Sequence, residues 1–212
     1  MKIKKVLILD PACIRVFEES IFKVCFGEFI EKGFNVFILI TPYVNKSIVR
    51  NVLDVMNRYN IMVILKEATG SSGGDLISSN IFISSRERVL VISDIGILSK
   101  DLVDIIDIFY SEFTSNSMIV SKCSSLRYGS SYLKEPIYVR FKRGRIVGGL
   151  NKKYDHSLEY VFTGIMMLKK SFFHRLQFIA FKRPELYNSD IIDVLNAYIE
   201  TGGRIYAYKL EV

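Results

Sequence analysis

The sequence predicts an α/β protein with a mixed, mostly parallel sheet held between two layers of helices. Three observations predict it. Short apolar runs rich in β-branched residues, over positions 5–9, 35–40, 61–66 and 89–94, alternate with segments of helical periodicity. That alternation builds parallel strands joined by right-handed helical crossovers. The second half changes character: it carries a hairpin pattern and further strands, which mixes the sheet.

Each element follows from its own residues. Residues 5–9 are the first strand. Over 17–32, Phe17, Ile21, Val24, Cys25 and Phe29 recur at helical spacing, and Gly33 closes the segment as a helix C′ residue would. Residues 35–40 (NVFILI) are the second strand, ended by Thr41-Pro42. Residues 47–59 are a helix capped at Asn45 or Ser47. The third strand covers 61–66, a Gly/Ser loop runs from Ala68 to Gly74, and a short helix covers 75–84. After the fourth strand, 89–94, comes a helix over 101–114, with Ser99 as its cap and Asp101 in its first turn.

The second half starts with a strand over 118–122 and a serine-rich loop over 123–136. Residues 137–141 and 145–150 flank Lys142-Arg143-Gly144 as a β-hairpin. A strand over 160–168 and a short helix over 171–178 follow. A longer helix spans 189–200 with Ser189 as its cap, Gly202-Gly203 ends it, and 204–210 is a closing strand. No repeat, low-complexity tract or interdomain linker divides the chain. The expectation is one Rossmann-like three-layer domain over residues 1–212.

Bulk composition narrows the classes. The 212 residues are 50% hydrophobic and 13% aromatic, enough for a substantial core. No window approaches the roughly 18 uncharged apolar residues of a membrane span. The basic start is followed by an apolar run too short for a signal peptide, so the reading is a cytoplasmic protein. Cys13, Cys25 and Cys123 have no metal-ligand spacing and read as reduced thiols. The net charge of +7 suits a phosphorylated or otherwise polyanionic partner. The cations are dispersed, apart from the cluster from Arg140 to Arg145, and there is no specific nucleic-acid signal. Abundant Lys, Arg and Ile without Trp is compatible with a thermophile.

The run Val89 to Leu98 (VLVISDIGIL) is the most informative local feature. It reads as a strand buried on both faces, with one carboxylate, Asp94, at its C-terminal end. Open α/β sheets bind ligands outside the carboxyl ends of their strands. Asp94 is therefore a candidate metal or phosphate-site residue. His156 and His174 have no His or Cys partner at metal spacing, and nothing resembles a Ser-His-Asp or Cys-His arrangement.

The order of elements, with these residues, resembles the sugar-phosphate nucleotidylyltransferases. Gly70-Ser71-Ser72-Gly73-Gly74 resembles the family's second glycine-containing loop. The likeness implies that Gly70, Ser71, Gly73 and Gly74 hold the nucleotide. Val91-Ile92-Ser93-Asp94 resembles the strand whose final Asp binds the catalytic magnesium. Gly144-Arg145-Ile146-Val147 through Asn151-Lys152-Lys153 resembles the family hairpin and its phosphate-binding lysine. Val161-Phe162-Thr163-Gly164-Ile165 resembles the strand that lines the sugar pocket, which implies substrate contacts at Thr163 and Gly164. Asp190, in Ser189-Asp190-Ile191-Ile192, falls at the family's helix start. Within the family, the inositol-phosphate cytidylyltransferases of heat-loving archaea are the most similar by eye. The fold implied is of the nucleotide-diphospho-sugar transferase type, with residues 1–115 as a nucleotide-binding half and 116–212 as an acceptor half.

Two departures bear on activity. The family places a glycine-rich phosphate loop after the first strand. Here Asp10-Pro11-Ala12-Cys13-Ile14-Arg15 follows, with no glycine until Gly27. Such a loop cannot bring several backbone amides onto a triphosphate in the same way. Arg15 and Lys23 remain as cations for the leaving group. The chain also ends where the family continues to a second magnesium-binding Asp, leaving Asp190 or Glu211 as substitutes. The resemblance implies Mg²⁺ as cofactor, an NTP and a phosphorylated sugar or polyol as substrates, and a homo- or hetero-oligomer. In that reading Asp94 holds the metal, Lys152 or Lys153 grips the acceptor phosphate, and Arg15 or Lys23 stabilises pyrophosphate. Two alternatives stand beside it. One is an inactive paralogue that binds nucleotide or regulates an active subunit. The other is a metal-dependent glycosyltransferase, which would need a second acid beside Asp94.

Overall fold

The computed structural model describes residues 3–9, 26–85, 87–93, 100–122, 136–153 and 158–210. The strands are β1 (Lys5–Ile8), β2 (Val36–Thr41), β3 (Met62–Glu67), β4 (Arg88–Ile92), β5 (Ser117–Lys122), β6 (Tyr138–Arg143), β7 (Ile146–Asn151), β8 (Tyr160–Lys169) and β9 (Tyr206–Leu210). The helices are α1 (described over 26–31), α2 (Lys46–Tyr59), α3 (Ser72–Ser78), α4 (Lys100–Glu112), α5 (Lys170–Lys182) and α6 (Ile191–Glu200). Short 3-10 turns cover Ser79–Phe82 and Pro184–Asn188.

One nine-stranded sheet runs β3-β2-β1-β4-β8-β5-β9-β7-β6. β1 to β4 are mutually parallel, β8 runs against both β4 and β5, and β5 and β9 are parallel. With β6, which runs against β8 and β7, seven of the nine strands share one direction, as expected of a mixed, mostly parallel sheet. The β6–β7 hairpin closes the far side and pairs with both β8 and β9. β8 is thus inserted from the second half of the sequence between strands β4 and β5.

Strand alternation divides the core between two faces. Leu7, Ile38, Val91, Val120 and Phe162 point to the side of α3, α5 and α6. Val6, Ile8, Phe37, Leu39, Leu90 and Ile119 point to the side of α1, α2 and α4. Burial on both faces explains why β2 reads as an uninterrupted apolar run. Asn45 caps α2, accepting a hydrogen bond from the Ile48 amide at 2.9 Å. Gly33, at φ +82, makes the left-handed turn out of α1.

Three boundaries differ from expectation for local reasons. α3 begins at Ser72 rather than residue 75, because Ser71 is its cap. α5 runs on to Lys182, since Ile179 and Ala180 continue its buried face up to the turn before Pro184. α6 is capped by Asp190, not Ser189, whose hydroxyl instead donates to the Leu186 carbonyl at 3.0 Å. Ser99, the expected cap of α4, lies outside the described residues.

Candidate site at the carboxyl edge of the sheet

Asp94, Arg15 and Lys23 lie outside the described residues, as does Glu211. What is described is the end of β4 that precedes Asp94 in the sequence. Ser93 donates twice to the Gly164 carbonyl, from its amide at 2.9 Å and its hydroxyl at 3.1 Å. Gly164 has φ +83, a conformation that favours glycine. The cause is a bulge in β8. Met118 pairs with Met166 and Val120 with Phe162, so three β8 residues oppose Ile119 alone. Thr163 donates its hydroxyl to the Ile119 carbonyl at 2.9 Å. The bulge is thus tied to β5 through Thr163 and to the end of β4 through Gly164. Bulges re-aim the chain and concentrate beside active sites.

The Gly/Ser segment is a packed joint with a small exposed part. Ser71 accepts from the Gly74 amide at 3.0 Å and donates to the Tyr187 carbonyl at 2.7 Å. The Gly73 amide donates to the Ser189 carbonyl at 3.1 Å, and the Ile191 amide donates to the Ser72 hydroxyl at 3.0 Å. A Cβ on Gly73 would stand 2.6 Å from the Ser189 oxygen; one on Gly74 would stand 2.3 Å from the Tyr187 oxygen. These glycines let α3 press against the backbone of residues 187–190, and both are buried. Thr69 and Gly70, at φ +98, are the exposed part.

Below this joint sits a buried ion pair that sequence reading did not find. Asp75, in the first turn of α3, accepts from the Thr69 amide at 2.8 Å and from Lys66 at 2.9 Å. Its side chain is 3% exposed and that of Lys66 11%. The pair fixes the path from β3 into α3. A Lys at a strand end followed by an Asp in the next helix turn was the signal available.

Asp190 and Lys152 are brought together. The Asp190 carboxylate accepts from the Ile192 amide at 2.8 Å and the Asp193 amide at 3.1 Å, and Lys152 closes an ion pair on it. Partial burial pushes the carboxyl upward, but the Lys152 ammonium and the two amides outweigh it and hold it below the usual carboxylate range. Lys152 thus reaches from the end of β7 to the start of α6. Lys153 is exposed, and its amide donates to the Asn151 side chain at 2.9 Å.

A second cation near this edge was also missed. The Lys209 ammonium lies 4.7 Å from the centroid of Phe141 and 4.5 Å from that of Tyr160. Those two rings meet edge to face at 5.5 Å. Among the described residues, Lys209 makes no ion pair or hydrogen bond through its ammonium. Lys209 pairs in register with Val120, and Tyr160 with Lys122. Period-two alternation puts Lys122 and Lys209 on the face of α3 and α6. Two ammonium groups thus stand on the side where Lys152 meets Asp190.

Metal binding was tested on the same residues. Among the described residues no three His, Cys, Asp or Glu side chains converge as metal ligands. The Asp190 carboxylate is already taken by a lysine and two amides. The described residues therefore do not make a magnesium site by themselves. No described helix is long and apolar enough to cross a membrane.

No family model matches the chain, and no curated protein matches it by sequence. Solved structures do match the fold. A putative glucose-1-phosphate thymidylyltransferase from Bacillus anthracis, solved with sucrose, has a TM-score of 0.66 at 13% identity, over 99% of this chain and 87% of its own. HddC from Yersinia pseudotuberculosis gives 0.62 at 13% identity, over 98% and 90%. The CTP:phosphocholine cytidylyltransferase LicC from Streptococcus pneumoniae gives 0.62 at 11% identity, over 100% and 91%. At these identities the likeness is one of fold, and it spans nearly the whole of each chain.

Proposed function

We propose that the chain binds an NTP and a phosphorylated sugar or polyol at the carboxyl edge of the sheet. It transfers the nucleotidyl group from one to the other. An oxygen of the acceptor phosphate attacks the α-phosphorus, the bond to the β-phosphate breaks, and pyrophosphate leaves. The observation that supports this reading is the tie between Ser93 and Gly164, because it holds the end of β4 that directly precedes Asp94 in the sequence. Gly70 and Ser71 would border the nucleotide, with Gly73 and Gly74 supporting them from within. Thr163 and Gly164 would form the acceptor wall. Lys153, Lys122 and Lys209 would meet the acceptor's anionic charge, while Lys152 orders the start of α6 through Asp190. Arg15 and Lys23 would face the leaving group. Mg²⁺ held by Asp94 would neutralise phosphate charge.

Two features favour weak turnover. The loop after β1 has no glycine, and the Lys152 ammonium is engaged by Asp190. The same features favour a second reading, a nucleotide-binding paralogue that does not turn over. The test is pyrophosphate release from each of the four NTPs with glucose 1-phosphate or inositol 1-phosphate and Mg²⁺. We expect slow release that Asp94→Ala abolishes. Nucleotide-dependent thermal stabilisation without any release would establish the second reading. No stabilisation by any NTP would overturn both. Gly164→Ala adds a Cβ at φ +83, and is expected to weaken binding of the acceptor more than it lowers the melting temperature.

A further inference from the structure

Helix α5 has an outward face that its burial pattern does not explain. Phe172, Phe173, Leu176, Ile179 and Ala180 are buried against the sheet. At 100° per residue the opposite face centres on Phe178, flanked by His174, Phe181 and Lys182. Phe178 is 60% exposed and Phe181 84%. Scattered exposed apolar residues are ordinary, but two phenylalanines on adjacent turns of one helix make a patch.

The charge along this helix is mostly positive. From Lys169 to Arg183 the chain carries five Lys or Arg and no Asp or Glu. The Lys182 ammonium sits 4.5 Å from the Phe178 ring centroid. Lys170 and Arg175 donate to the Asn80 and Thr201 carbonyls, and Arg183 pairs with Glu185, just past α5, and with Glu200, at the end of α6. A symmetric pairing with a second copy would set this cationic face against itself, and like charges across an interface disfavour it.

We propose that this face of α5 docks on an anionic membrane surface. Phe178 and Phe181 enter the boundary between headgroups and acyl chains, and Lys182 beside them, with the net positive charge of the helix, meets the lipid phosphates. Basic helices with aromatic residues on the inserted side bind bilayers in this way, lying on them rather than crossing them. The inference is independent of the proposed activity.

The test is flotation of the full-length protein with phosphatidylglycerol vesicles and with phosphatidylcholine vesicles. We expect binding to the first and not the second, weakening as salt rises. Phe178→Ser with Phe181→Ser should reduce binding at least about tenfold without lowering the melting temperature, since both rings are exposed. Lys142→Glu with Arg143→Glu, on the β6–β7 hairpin, should leave binding intact. No binding to phosphatidylglycerol at low salt would overturn the proposal. So would equal loss in the hairpin variant, which would indicate general charge attraction. Self-association that the phenylalanine variant abolishes, without vesicle binding, would overturn it in favour of a second copy.

Discussion

Two lysines near the candidate site, Lys66 and Lys209, are held in opposite ways. Lys66 is sealed against the buried carboxylate of Asp75, at the joint where α3 meets the backbone before α6. Lys209 rests on the rings of Phe141 and Tyr160, with its N–H donors turned to no described acceptor. A cation paired with a buried carboxylate stiffens the scaffold and has little left to offer a ligand. A cation held by ring faces keeps its charge and its donors available. The joint and the open edge should therefore respond to substitution in different currencies, stability for the first and ligand binding for the second.

The sharpest way to break the joint is Gly74→Ala. The new methyl would stand 2.3 Å from the Tyr187 oxygen, and that atom belongs to backbone that cannot swing aside. We expect a loss of about 3 kcal/mol from overpacking, only partly offset by the helix preference of alanine. For a chain of this size that is a fall of roughly 6–12 °C in melting temperature, readable by calorimetry. An unchanged melting temperature would show that α3 does not bear on residues 187–190.

Asp75→Asn is the next largest. The asparagine oxygen can still accept from the Thr69 amide, but Lys66 would keep its charge in a nearly closed site with only the Glu67 carbonyl beside it. Removing one partner of such a pair costs about 2–3 kcal/mol. Urea unfolding should show it as a lower midpoint at unchanged slope. A midpoint equal to wild type would mean that water already reaches Lys66.

The fold was legible in the sequence to the extent that burial on two faces writes itself as apolar runs. NVFILI and VLVI announced β2 and β4, and Asn45 announced the cap of α2. The joint was not legible. Gly73 and Gly74 looked like part of a nucleotide-holding loop, because a glycine forced by the approach of a distant backbone carries the same letter as one that frees a loop. Ser189 and Asp190 are both good caps in isolation, and only the pairing of Asp190 with Lys152 decides between them. Lys209 was invisible for a similar reason: its two rings lie 68 and 49 positions away in sequence and meet it only through the register of β8, β5 and β9.

Asp190 links the two regions, and pH probes it. Its carboxyl is held below the ordinary value, so the folded state favours the ionised form. The stability this contributes is fully present above the unfolded carboxylate pKa, near 4. It is lost as pH falls through the lower folded value. Asp190→Asn should therefore flatten part of the acid limb of the melting-temperature profile below about pH 4. The variant should also lower stability modestly at neutral pH, since Asn remains a good cap while the ion pair with Lys152 is lost. An acid limb unchanged by the substitution would show that Lys152 and Asp190 do not interact in solution.

Lys209→Met is expected to disturb the fold least and the edge most. Methionine keeps the length and the contact with Phe141 and Tyr160, and the cation–ring attraction it removes is worth about 0.5–1 kcal/mol at a partly exposed position. The melting temperature should move by roughly 1–4 °C at most. Binding of glucose 1-phosphate, followed by calorimetric titration, should weaken by about tenfold, a typical share for one charge-assisted contact to phosphate. Binding of NTP should change much less if, as proposed, Phe141, Tyr160 and Lys209 belong to an acceptor half of the sheet. Equal weakening of both ligands would place Lys209 in general charge attraction. No weakening of either, with the wild type binding both, would make Lys209 as structural as Lys66 and erase the contrast between the joint and the edge.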